Sequence, residues 1–134
     1  MTDVQHINPD GLARNPAFSQ AVSVCGGHKV VYIGGQNAVD SSGAIVGRAD
    51  LATQTHQVFR NLEVVLAAAD ARLENVVKWN IMVVAGQPIL SAFQVFQEKW
   101  GRKPNPPAIS VSFVAGLANP DFLVEIDAVA VVPE

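Results

Sequence analysis

The chain has 134 residues, 49% apolar and 16% charged, with a formal net charge of −3 at pH 7. That length sets one domain, residues 1–134, with an ordinary core. The charge content is well under the ~25% of typical soluble domains, which favours apolar surface hidden against another subunit. An acidic balance without a Lys/Arg run excludes an electrostatic footprint for nucleic acid or an anionic membrane, and no apolar run approaches the ~18 residues of a membrane span.

Cys25 is the single cysteine, so neither a disulfide framework nor a CxxC metal pair is available. The first residues, MTDVQHINPDGLARNPAFSQ, carry early acidic groups and no apolar segment. They do not read as a signal peptide, and a cytoplasmic protein is expected. Pro9, Gly11 and Pro16 make residues 1–19 a short strand or extended arm followed by a loop. Ala21–Val24 and Lys29–Ile33 are β-prone runs separated by Gly26-Gly27-His28, a spacing that predicts a hairpin. The second run ends at Gly34-Gly35-Gln36, where two glycines allow either a bulge or the close approach of a ligand. No GK[ST] or GxGxxG pattern follows, so this is not a phosphate loop.

After a turn at Asp40–Gly43, Asp50 is a good N-cap for a helix whose stripe is Leu51, Val58, Phe59, Leu62, Val65, Leu66 and Ala69. His56 lies off that stripe and reads as a solvated helix residue, with a catalytic role as the alternative. His6 and His28 complete the histidines, and without HxxxH or HExxH spacing no metal site is expected. Val76–Val84 reads as a central strand with Val77, Trp79, Ile81 and Val83 on one face. Gly86 and Pro88 break the chain before a helix at about Ile89–Trp100, where Leu90, Phe93, Phe96 and Trp100 recur at core spacing.

The last stretch, Pro104–Val132, predicts two strands joined by a loop at Asn119-Pro120-Asp121. In the second strand Phe122, Val124, Ile126, Ala128, Ala130 and Val132 share one face, while Leu123, Glu125, Asp127, Val129 and Val131 share the other. Two carboxylates about 6–7 Å apart in an apolar row need an account. Either they face water or a cation, or one of them moves protons in a cleft. The elements sum to an α+β domain in which two helices cover one face of a mixed sheet. The other face, bearing Glu125 and Asp127, must meet solvent or a neighbouring subunit.

Taken in order, the chain resembles the Rid family (YjgF, or L-PSP). The resemblance rests on Phe18-Ser19-Gln20-Ala21-Val22, Tyr32-Ile33-Gly34-Gly35-Gln36, Gly47–Asp50 leading to Gln54, Asn61-Leu62, Pro107-Ala108 and Val124–Ala130. It implies a chorismate-mutase-like fold and a homotrimer with small-molecule clefts between subunits. It also implies cofactor-free deamination of enamines or imines to a carbonyl product and ammonia. By the same resemblance Glu125 acts on water and the backbone at Gly34 and Gly35 lies along the cleft. The arginine that grips the substrate carboxylate is here Ile109, the next cleft position is Val111, an aromatic hydroxyl becomes Phe18, and an asparagine becomes Phe93.

Each departure makes the cleft more apolar. A bidentate guanidinium–carboxylate grip contributes on the order of 2–5 kcal/mol, so 2-aminoacrylate-type imino acids are expected to be poor substrates. Arg14, Arg48 or Arg102 could supply a cation from elsewhere in the chain. The expected activity is a hydrolase for neutral or apolar enamines or imines. The alternative is a trimer that binds a small metabolite without turning it over. An endoribonuclease or translation-inhibitor role, from the family's older labels, requires RNA binding that the charge balance disfavours.

Overall fold

Nine-residue β3, His28–Gln36, and ten-residue β6, Val124–Pro133, are two of the three long strands of the chain, and they pair with each other rather than with their sequence neighbours β2 and β5. The computed structural model describes all residues, Met1–Glu134. The remaining elements are β1 Asp3–Ile7, β2 Ala21–Cys25, α1 Leu51–Ala68, a short helical turn at Leu73–Asn75, β4 Val76–Val84, α2 Ile89–Trp100 and β5 Ala108–Val114. The main sheet runs β3-β6-β4-β5. Strand β6 is antiparallel to both of its neighbours and β4 is parallel to β5, with α2 as the crossover. This is the mixed α+β architecture expected, with both helices on one face.

Three local expectations are corrected. The hairpin between β2 and β3 does not form: β2 pairs with β1, from Asp3↔Cys25 to Ile7↔Ala21, in a separate two-stranded sheet. Gly26, at φ +85°, turns the chain, and β3 gains a longer apolar partner in β6 than five-residue β2 can offer. In β4 the core face is Val76, Trp79, Ile81 and Val83 rather than one including Val77. A register shift between Val76 and Lys78 marks a bulge there, which resets the two-residue period. In α2 the buried residues are Ala92 and Val95, with Ile89 and Phe96 packed against the core. Leu90 is 71% exposed and Phe93 36%, so of the expected stripe only Phe96 joins the core. The small Ala92 and Val95 let the helix approach closely, and the adjacent stripe overhangs β5, the edge strand.

Helix α1 starts as expected. Asp50 has extended backbone and its carboxylate accepts from Thr53 N at 3.1 Å. That bond, with a further one from the Thr53 hydroxyl, holds the Asp50 carboxyl below its ordinary value. Phe59 of α1, Phe96 of α2 and Trp79 of β4 stack edge to face, with centroids 4.7–5.8 Å apart, and join the helices to the sheet. No helix is long and apolar enough to cross a membrane.

Strand β6 alternates as its sequence predicts from Val124 to Ala130; Phe122 and Leu123 precede the strand, and at its end the expected order is lost, with Val131 buried and Val132 half-buried. Val124, Ile126, Ala128 and Ala130 are buried under the helices, and Glu125, Asp127 and Val129 are half-buried on the other face. Its entry is fixed by Gln54, fully buried in α1. The Gln54 amide donates to Gly47 O (3.2 Å) and Asp121 O (2.8 Å), and its carbonyl accepts from Leu123 N (2.8 Å). Replacing Gln54 with leucine strands Asp121 O and Leu123 N, while Gly47 O keeps its bond from Asp50 N at 3.0 Å, so Gln54→Leu is expected to cost about 2–4 kcal/mol in urea denaturation. A loss under ~0.5 kcal/mol, the scale of an ordinary surface change, would remove this clamp from the account.

Candidate functional site

Parallel pairing of β4 and β5 sets Trp79 beside Ile109 and Ile81 beside Val111, so all four side chains project from the helix-bearing face. With Phe93, Phe96, Gln97 and Trp100 of α2 and the arm segment Asn15–Phe18, they enclose a cavity of about 550 Å³. None of its lining residues is ionisable. The Trp100 indole N–H is turned away and donates to Lys103 O at 2.8 Å, which leaves its ring as a wall.

The arm is tied to the approach of β5 by a seam that sequence reading does not reveal. Ser19 N donates to Pro107 O at 3.0 Å and the buried Ser19 hydroxyl donates to Pro106 O at 2.5 Å. Nδ1 of His6 lies 3.0 Å from Ser19 Oγ and 3.1 Å from Pro106 O. With the Ser19 proton directed at Pro106 O, His6 completes the cluster by carrying hydrogen on Nδ1. The seam fixes Phe18 at the cavity. Nothing local in the sequence links His6, Ser19 and Pro106, because the cluster is closed by tertiary packing.

Glu125 and Asp127 occupy the opposite face. Glu125 is paired with Met82 and Asp127 with Asn80, and Asn80 Nδ2 donates to Asp127 Oδ1 at 2.8 Å. A neutral amide, not a cation, therefore partners Asp127; Lys78 instead donates to Ser110 Oγ at 2.8 Å. Gly35 sits at a register shift between Ile33 and Gln36. A Cβ there would lie 2.5 Å from Glu125 Oε2, so the missing side chain lets the carboxylate rest against β3. Gly34 faces open space. Tyr32, 81% exposed, lies on the same face beside Val129.

The expected site residues thus fall into two groups. Phe18, Phe93, Ile109 and Val111 line the cavity, whereas Glu125, Gly34 and Gly35 lie across the sheet from it. Within one chain a small ligand cannot touch both groups. Among the arginines considered, Arg48 pairs with Asp121. Arg14 donates to Asn8 O (3.0 Å) and Asp10 (3.4 Å) beside a smaller cleft that shares Asn15, Pro16 and Phe18 with the cavity. Arg102 is exposed and does not line the cavity. No group of three or more His, Cys, Asp or Glu could hold a metal ion.

A mixed sheet under two helices, with an apolar cavity on one side and a carboxylate row on the other, defines an α+β domain of the L-PSP type. The model of the family described as Endoribonuclease L-PSP matches residues 10–132, and the chain belongs to this Rid/YjgF family. It is 32% identical over 117 residues to the RutC family protein slr0709 of Synechocystis, covering 87% of this chain and 86% of that one. Among solved structures it is similar to YyfB of Yersinia pestis, a Rid-family protein of unknown function. That match has 36% identity and a TM-score of 0.83, over 95% of this chain and 97% of that chain. It is also similar to Rv2704 of Mycobacterium tuberculosis, of the YjgF/YER057c/UK114 family, with 27% identity and a TM-score of 0.63, over 85% and 86% of the two chains.

Gly35 gives a direct check on the carboxylate face. Its φ is not positive, and the atom in the way is the far end of a flexible side chain. Gly35→Ala is therefore expected to fold with a stability change under about 1 kcal/mol, while a crystal structure finds the Glu125 carboxylate displaced from β3. An unmoved carboxylate would mean that Gly35 does not position it.

Proposed function

We propose that the protein is a Rid-type hydrolase for neutral or apolar enamines and imines. In this reading it acts as a homotrimer whose clefts join the cavity of one subunit to the Glu125 face of the next. The observation that carries the proposal is the lining of the cavity. At the place where the family resemblance puts a carboxylate-gripping arginine stands Ile109, and no ionisable residue replaces it around the cavity. A charged substrate would be desolvated there without a partner, whereas a neutral one loses little.

The chemistry needs no cofactor. Glu125 accepts a proton from water as the oxygen adds to the C=N carbon and returns it to the nitrogen, giving a carbinolamine. As the C–N bond breaks, the carbinolamine O–H proton passes through Glu125 to the departing nitrogen, releasing a carbonyl compound and ammonia with the carboxylate regenerated. A positioned general base of this kind contributes roughly 10²–10⁴-fold. The division of the site across the sheet supports a shared cleft, since only another copy can bring a Glu125 to the cavity mouth. The competing reading, a trimer that binds a small metabolite without turnover, draws on the same missing cation. An RNA-directed activity has no basic surface to support it, given a net charge of −3.

Ammonia release from imines generated in the assay separates these readings. A flavin amine oxidase acting on benzylamine supplies a neutral aryl imine, and an amino acid oxidase acting on alanine supplies an imino acid. Wild type is expected to accelerate the first and barely affect the second, and Glu125→Gln to lose on the order of 100-fold. Ile109→Arg should move the preference towards the imino acid. No acceleration of either substrate would favour the binding trimer, and full activity in Glu125→Gln would remove the assigned base.

Assembly is checked separately by sedimentation. A species of three times the 14.2 kDa chain mass is expected, and Tyr32→Glu on the open face should dissociate it. A wild-type monomer would end the shared-cleft reading.

A further inference from the structure

Around the cavity the polar side-chain atoms have partners in the chain or lie at its exposed rim, with one exception. Asn15 Oδ1 accepts from Ala17 N at 2.8 Å, Trp100 Nε1 is committed to Lys103 O, and Gln97 is exposed at the rim. Trp79 is different. It is only 1% exposed, yet its indole N–H meets no acceptor in the chain. No fully buried side-chain nitrogen or oxygen lacks a partner, so this N–H keeps contact with open space, and the space that Trp79 borders is the cavity. Position supports this, because β4 carries Trp79 at the cavity floor beside Ile109.

We infer that the cavity binds a neutral, flat, apolar molecule bearing one hydrogen-bond acceptor, an aryl carbonyl or its neutral imine, through a bond from Trp79 Nε1. Indole nitrogen donates and cannot accept, so the ligand must bring the lone pair. A lining without ionisable groups selects against a charged ligand, because a buried charge without a partner is strongly disfavoured. The aromatic walls of Phe18, Phe93, Phe96 and Trp100 favour a flat ring. The volume lies in the range of small-molecule sites, about 300–1,000 Å³. An apolar isostere without an acceptor would displace solvent from the N–H and leave it unpaired, a difference of roughly tenfold in affinity. The inference rests on the proposed function only in taking this cavity as the substrate half of the site, and it does not require hydrolysis.

The test is a titration of nitrogen-labelled protein with acetophenone and with ethylbenzene, the same carbon skeleton without the acceptor oxygen. The two tryptophans give two indole N–H signals, assigned with Trp100→Phe. Acetophenone is expected to bind about tenfold more tightly than ethylbenzene and to shift the Trp79 indole proton downfield, with the Trp100 signal moving less. Trp79→Phe should erase the preference for acetophenone. If that variant does not fold, the wild-type titration decides alone. Equal binding of the two compounds without a downfield shift, or no binding of either, overturns the inference. Acetophenone binding as described with no imine turnover would leave this site standing and remove the hydrolase. Turnover with an unmoved Trp79 signal would do the reverse.

Discussion

The carboxamide of Gln54 is the contact on which the geometry of both faces depends. It sits inside α1 with no access to solvent and satisfies a carbonyl from the loop before that helix, and a carbonyl and an N–H at the entry to β6. Burying such a group is favourable only when all its bonds are made, so it tolerates one alignment of helix against strand. That alignment sets the register of β6. Side chains alternate along a strand, and a slip by one residue would turn Val124 and Ile126 outward and drive Glu125 and Asp127 beneath the helices. A polar residue in the core thereby decides which side of the sheet carries charge.

From that fixed strand the rest is built outward. β4 lies along one edge of β6 and reaches the helices through the Trp79, Phe59 and Phe96 rings. β5 follows in parallel and leaves its helix-side residues, Ile109 and Val111, only partly covered by α2. The cavity is the space at this sheet margin, closed by the arm through Ser19 and Pro107. It arises because the helix layer ends before the sheet does.

Much of this architecture is legible in the sequence wherever a local rule applies. Asp50 announces α1, Gly86 and Pro88 announce α2, and the alternation from Phe122 to Val132 announces β6 with its two odd carboxylates. What is not legible depends on partners distant along the chain. β2 and β3 read as a hairpin because nothing in their own residues reveals that Asp3–Ile7 and Val124–Pro133 compete for them. The bulge at Val77 is set by pairing with β6, and the choice between two adjacent stripes of α2 is set by what it packs against. The site was readable as a set of residue types, Glu125 and Gly35 against Ile109 and Val111. Their separation across the sheet needed the register, and the free donor of Trp79 needed the full packing around it.

In the proposed ring, a sheet with a pocket on one side and its acid on the other would behave as a component with a socket and a plug. Function would then belong to the junction and not to the chain. Two defective forms, one lacking the socket and the other the plug, can restore each other when mixed, because a ring holding both retains a junction where an intact cavity meets an intact Glu125. Each chain alone would assemble only dead rings. In genetic terms, two loss-of-function alleles on opposite faces of this sheet would complement, whereas two on the same face would not.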